Sequence, residues 1–159
     1  MIRRAAFADI PRIAELMTDL HRVSIYADRC GIDIAETKAL FTRLMQRHGG
    51  KADGGACVFV AEKNGRVEGF MAGLLSRVYH VGDKLAAQDV FLHLTPDADP
   101  RDLSRLVGAY VGWAEACPKV IEINLSETDV IAADPRLLKL YSRKGFIRCG
   151  TIHRKAVSQ

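Results

Sequence analysis

"ACVFVAEKNGRVEGFMAGLLSRV", residues 56–78, decides the fold class. Two apolar runs flank Asn64-Gly65, the strongest short-range signal for a β-hairpin. Both central residues of such a turn need a positive φ, which asparagine and glycine tolerate best. Two antiparallel strands therefore occupy the middle of the chain, and the rest must be organised around them. Just ahead of them, "HGGKADGG" (48–55) holds four glycines and reads as an irregular linker.

On the N-terminal side, "IRRAA" (2–6) starts a strand. Asp9 is placed to cap a helix with Pro11 in its first turn. Ile10, Ile13, Leu16, Met17 and Leu20 follow at helical spacing. "YADRCG" (26–31) breaks that pattern. Asp33 and Glu36 then have capping-box spacing, ahead of a second helix through Ile34, Leu40, Phe41, Leu44 and Met45. On the C-terminal side, "KLAAQDVFLHL" (84–94) reads as a strand. Leu103, Leu106, Val107, Tyr110, Val111 and Ala114 form a third helical stripe. "KVIEINLS" (119–126) reads as a strand of alternating character. Asp134-Pro135 opens a fourth helix through Leu137, Leu138, Leu140 and Tyr141, and Lys144-Gly145 ends it. "FIRCGTIHRKAV" (146–157) supplies the closing strand or strands. The order is β-α-α-β-β-β-α-β-α-β: an α/β fold with a mixed, largely antiparallel sheet flanked by helices, in a single domain over 1–159.

The balance of 48% hydrophobic and 26% charged residues is that of a soluble globular chain. No apolar run approaches the roughly 20 residues of a membrane span, and "MIRRAAFADI" lacks the apolar core of a secretory signal. Cys30, Cys57, Cys117 and Cys149 are far apart and form no C-x-x-C pair. Free thiols in a reducing, cytoplasmic compartment follow, with no metal site. The formal charge is +4, and the basic residues are spread along the chain apart from a denser patch at Arg136–Arg148. Nucleic acid would ask for a clustered stripe with interleaved aromatics, so the patch suits a smaller anion or plain solvation.

"LLKLYSRKGFIRCGTIHRK" (137–155) resembles the closing motif of the GNAT superfamily of N-acyltransferases, a helix bearing Leu-Tyr followed by Gly-Phe and a strand. "MIRRAAFADIPRIAELM" (1–17) is similar to that family's opening strand and helix. The Asn-Gly hairpin is similar to its second and third strands, and "AAQDVFLHLTP" (86–96) to its fourth. "LHRVSIYADRC" (20–30) and "AQDVFLHLTP" (87–96) resemble most a branch common in phages and prophages. The resemblance covers nearly the whole chain, and the order of the segments carries it.

The resemblance implies an N-acetyltransferase that moves an acetyl group from acetyl-CoA to a primary amine of a small molecule or peptide. An alternative is a non-catalytic GNAT-fold binding protein with a protein partner, its cofactor loop degenerate. Tyr141 matches the family tyrosine that faces the CoA sulfur, and it also fits the apolar stripe with Leu137 and Leu138. Asp89 and His93 are base candidates. Strand alternation puts Asp89, Phe91 and His93 on one face and Val90, Leu92 and Leu94 on the other, toward the core. His93 also reads simply as a half-exposed ring on a sheet face, and Asp89 as an arginine's partner or a strand-end cap. Backbone groups at Leu92 and Leu94 would pair with pantetheine. Asn124 on the fifth strand would meet the cofactor, and Arg143 would reach its phosphates. The resemblance also implies a homodimer built through the last strands.

"LTPDADPRDLSR" (94–105) departs from the family pattern. The family loop uses glycines to bring amides up to the pyrophosphate, whereas no glycine occurs between Gly82 and Gly108. Arg101, Asp102, Ser104 and Arg105 occupy the positions that would face the diphosphate. Asp99 is placed as the helix N-cap, Pro100 at its first position and Asp102 at its third. Carboxylates there complement the helix dipole themselves and repel a diphosphate, while the two arginines pull the other way.

Overall fold

The computed structural model describes residues 1–131 and 135–157. Its elements are β1 (Ile2–Arg4), α1 (Ile10–Arg22), α2 (Ile34–Gln46), β2 (Ala56–Lys63), β3 (Arg66–Arg77), β4 (Leu85–Leu94), α3 (Asp102–Glu115), β5 (Val120–Asn124) and α4 (Pro135–Arg143). The five strands form one sheet in chain order. Every neighbouring pair is antiparallel except β4 and β5. A parallel pair needs a crossover, and α3 supplies it. Asn64 and Gly65 both have positive φ, 52° and 76°, and close the β2–β3 hairpin directly after the Lys63↔Arg66 pair.

The helices cover both faces of the sheet. On one face Ile13 and Leu16 of α1 and Phe41 and Leu44 of α2 pack on Val58, Val60 and Phe70. On the other, Leu106, Val107 and Tyr110 of α3, with Tyr141 of α4, pack on Cys57, Met71, Leu75 and Ala87. The Tyr110 ring lies so close to β3 that a Cβ at Gly73 would stand 2.4 Å from its Cε2. At α2 Asp33 stands as the N-cap, and its carboxylate accepts from the Glu36 amide at 3.0 Å, the first half of the expected capping box. Asp9 behaves differently. Its carboxylate accepts from the Ala6 amide at 2.7 Å and pairs with Arg3 at 2.7 Å. It thus ties β1 to the start of α1 instead of capping the helix with its side chain.

The closing strand is not formed. Residues 146–157 lie outside the sheet, with Ile147, Ile152 and Val157 all at least 80% exposed. Among the described residues the order therefore ends at α4. Alternating polarity marks a segment fit for a strand, but a strand exists only where a ladder partner accepts it. Here β5 remains the edge of the sheet, and the Arg154 guanidinium is drawn instead to Asp129. The expected cap of α4, Asp134, lies outside the described residues.

Candidate active site

β4 and β5 run together only from Leu85↔Val120 to Gln88↔Asn124. β5 then ends, while β4 continues to Leu94. Among the described residues, Asp89–Leu94 therefore has β3 on one side and no strand on the other, and all six of its residues are half-buried. At that same point the β3–β4 register slips. Ala72 faces Phe91 and Gly73 faces Asp89, which leaves Val90 as a bulged residue.

The bulge corrects the simple alternation expected from the sequence. One extra residue reverses which face each later side chain takes. Phe91 packs with Phe41 and Phe70 on the α1–α2 face. His93 joins them, its ring centroid 6.1 Å from that of Phe70. Burial holds the His93 pKa below the ordinary histidine value; Asp19 opposes this and Arg12 adds to it. Asp89 projects to the opposite face, toward α3 and α4. The two base candidates are thus separated by the sheet. Val90 packs on the α1–α2 core, while Leu92 and Leu94 pack on the α3 side.

Asp89 is fully engaged. Its two oxygens accept from the Ser126 amide at 3.0 and 3.1 Å, and one of them also accepts from the Ser126 hydroxyl at 2.8 Å. The Tyr141 hydroxyl points to the Ser126 carbonyl, 3.5 Å away. Burial, and after it the charges of Asp89 and Glu127, pushes the Tyr141 phenol up to about 12. Tyr110 donates to the Asn124 carbonyl at 3.0 Å, and the Asn124 side chain donates to Glu122 at 2.9 Å. Ser126 is thus the meeting point of β4, β5 and α4.

The helix after β4 starts later than its sequence suggests. α3 begins at Asp102, and Arg101, not Asp99, stands at its cap. Asp99 stabilises the turn just before it. Its side chain accepts from the Arg101 amide at 2.8 Å and its carbonyl from the Asp102 amide at 2.8 Å. Arg105 turns back onto the buried Asp102 at 2.9 Å and onto Asp99 at 3.4 Å. One turn further on, a cleft of about 510 Å³ opens between α3 and α4, lined by Ser104, Arg136, Lys139, Leu140, Arg143 and Lys144. Arg136, Lys139, Arg143 and Lys144 make this lining basic. A Cβ at Gly108 would stand 3.4 Å from the Lys144 ammonium nitrogen, which lies over α3 there. A smaller cleft of about 300 Å³ sits at the other end of the sheet, among Asp53, Arg77, Asp83 and Lys119. Its charges offset one another.

Solved structures share this fold over nearly their whole length. A glucosamine-6-phosphate N-acetyltransferase from Arabidopsis thaliana matches 99% of this chain and 98% of its own, with TM-score 0.71 and 10% identity. An aminoglycoside acetyltransferase from an uncultured soil metagenomic sample matches 100% and 96%, with TM-score 0.68 and 17% identity. The fold is that of the GNAT acetyltransferases. The GNAT fold alone does not fix an activity: a transcriptional regulator from Bacillus halodurans C-125 matches 99% of both chains, with TM-score 0.72 and 16% identity. No protein-family model matches the chain, and no curated protein matches it in sequence. No helix among the described residues is long and apolar enough to cross a membrane.

On this GNAT frame the structure brings Asp89 and Tyr141 together around Ser126, and Ser104 and Arg143 together in the basic cleft. It leaves His93 on the far face and turns Asp102 and Arg105 on each other. Arg136 and Lys139 line the cleft; sequence reading saw them only as part of a denser basic patch at Arg136–Arg148. Their spacing with Arg143, i, i+3 and i+7 along one helix face, was the available signal. Glu127 carried no signal at all. It lies next to Ser126.

Proposed function

We propose that the protein is an acetyl-CoA-dependent N-acetyltransferase acting on a primary amine of a small molecule or peptide. The observation that carries this reading is the unpaired edge of β4 over Asp89–Leu94, which leads through the loop to the basic cleft of α3 and α4. The donor set fits the ligand. A strand edge without a partner pairs with amides laid along it, as pantetheine has, and the backbone at Leu92 and Leu94 would do so here. Arg136, Lys139, Arg143 and Lys144, with Ser104, would hold the phosphates, and the exposed Arg101 would stand at the cleft's approach. When bound, acetyl-CoA supplies a thioester carbonyl open to attack.

The chain's own part is then small and specific. Asp89 fixes Ser126 and with it the carbonyl toward which Tyr141 points. Tyr141 keeps its proton at neutral pH because burial disfavours the phenolate. The ammonium would first lose a proton to water, which frees the nitrogen lone pair; as the nitrogen–carbon bond forms and the carbon–sulfur bond breaks, the phenol would give its proton to the leaving sulfur, and the second proton shed by the nitrogen would restore the phenol. Self-association belongs to the same reading. β5 is an edge strand, and a second copy would cover it together with Ile147, Ile152 and Val157. We place the nearest kinship in the phage and prophage branch, on residues 20–30 and 87–96.

One observation favours a second reading. Asp99 occupies the amides of Arg101 and Asp102, so the start of α3 offers less to a diphosphate than a glycine loop does. A non-catalytic protein would use the same basic cleft for an acidic protein partner. Thermal unfolding separates the two. Millimolar acetyl-CoA at a micromolar Kd raises Tm by about 5–10 °C, and amine-dependent thiol release should accompany it. Neither a shift nor thiol release would leave the binding protein as the reading that survives.

A further inference from the structure

We propose that Glu127 receives the acceptor's ammonium group, and that the acceptor is an amine positively charged at neutral pH. This rests on the acetyl-transfer reading of the same site.

Residues Ser126 to Val130 form a strap fixed at both ends. Ser126 is held by Asp89 and faces Tyr141. The Val130 carbonyl accepts from the Ile25 amide at 3.0 Å, in the loop between α1 and α2. The strap therefore crosses from the Tyr141 phenol to that loop, and Glu127 is the first residue past the phenol. Its charge is felt there, since Glu127 and Asp89 both help to keep the Tyr141 proton in place.

The carboxylates along this path are not equivalent. Asp89 is consumed by Ser126. Asp129 is paired with Arg154. Glu127 is exposed and has no hydrogen bond or ion pair among the described residues. It is the carboxylate beside the phenol that can still accept from a ligand. Its sign also fits. The cleft of α3 and α4 is basic, so the site presents cations to phosphates and a carboxylate to whatever approaches from the strap. An ammonium group gains a charge-assisted hydrogen bond there; a neutral amine gains little, and an anionic acceptor is repelled.

The test is Glu127→Gln, which keeps size and exposure, so Tm should not move. With spermidine as acceptor, KM should rise about fivefold, the contribution of one partly exposed charged contact. KM for acetyl-CoA, and KM for an arylamine that is uncharged at neutral pH, should stay as in the parent. An equal loss with both amines, or no change with spermidine, overturns the assignment. Calorimetric titration of spermidine without acetyl-CoA keeps the two proposals apart. Weaker binding to the variant upholds Glu127 even if no amine is acetylated, and then acetyl transfer alone falls. Equal binding to both proteins, or none to the parent, overturns it.

Discussion

The carboxylate of Asp89 takes the backbone amide and the hydroxyl of Ser126 together, at 2.8 to 3.1 Å. This side-chain clamp replaces strand pairing at the place where β4 and β5 part. Beyond Gln88↔Asn124 no ladder bond holds them, so Asp89 sets how far Ser126, and the Tyr141 phenol facing it, stand from β4. A residue that acts as a strut differs from a base in how it tolerates amidation.

Asp89→Asn keeps an acceptor oxygen for the Ser126 amide and should retain most of kcat. Asp89→Ala leaves that amide without its partner and should cost about 2 kcal/mol, or roughly 4–8 °C in Tm. A collapse of kcat in Asp89→Asn with Tm intact would make Asp89 the base after all.

Tyr141→Phe should lower kcat by about 10²- to 10⁴-fold with acetyl-CoA affinity unchanged, because only the proton donor is lost. The phenol, pushed up to about 12, holds its proton across the neutral range. Tyr141 should therefore produce no alkaline loss of kcat below about pH 10. A loss at lower pH that disappears in the phenylalanine variant would contradict this environment.

Lys139→Ala and Arg143→Ala should each weaken acetyl-CoA binding a few-fold at low salt, and less as salt rises, since exposed charges are screened. Binding of the parent that ignores both salt and these substitutions would place the phosphates elsewhere.

Gly73→Ala pushes a methyl group to within 2.4 Å of the Tyr110 ring. That ring is fully buried and anchored to Asn124, so it cannot easily retreat. Overpacking of this kind costs about 1–3 kcal/mol, and urea unfolding should read it directly as a lower midpoint.

His48 gives the fold an acid dependence. Burial, and then Arg4, pushes its pKa from 6.5 down to about 4, while its Nδ1 accepts from the Val58 amide at 3.3 Å. Between those values the unfolded chain binds a proton that the folded chain refuses. This contribution is therefore present above pH 6.5 and is lost as pH falls toward 4. Tm should fall through that window more steeply in the parent than in His48→Gln; parallel curves would count against it.

What the sequence determined by itself was local. Asn64-Gly65 makes its turn because only positive φ closes a two-residue hairpin of this kind, and Asp33 with Glu36 starts α2 through bonds three residues long. The stripes on α1 and α3 announce their buried faces by period alone, and the order of these segments was enough for the GNAT architecture. Tertiary structure decided what depends on partners distant in the chain. The bulge at Val90 arises from the slip between β3 and β4, and it sends Asp89 and His93 to opposite faces that simple alternation had joined. Ser126 claims Asp89 from 37 residues away. Residues 146–157 have a strand's alternation but no ladder partner, and so remain outside the sheet. Arg136 and Lys139 come to line a cleft only because α4 packs beside α3. In each case a side chain's place was set by a group distant in the chain, which spacing along one chain cannot encode.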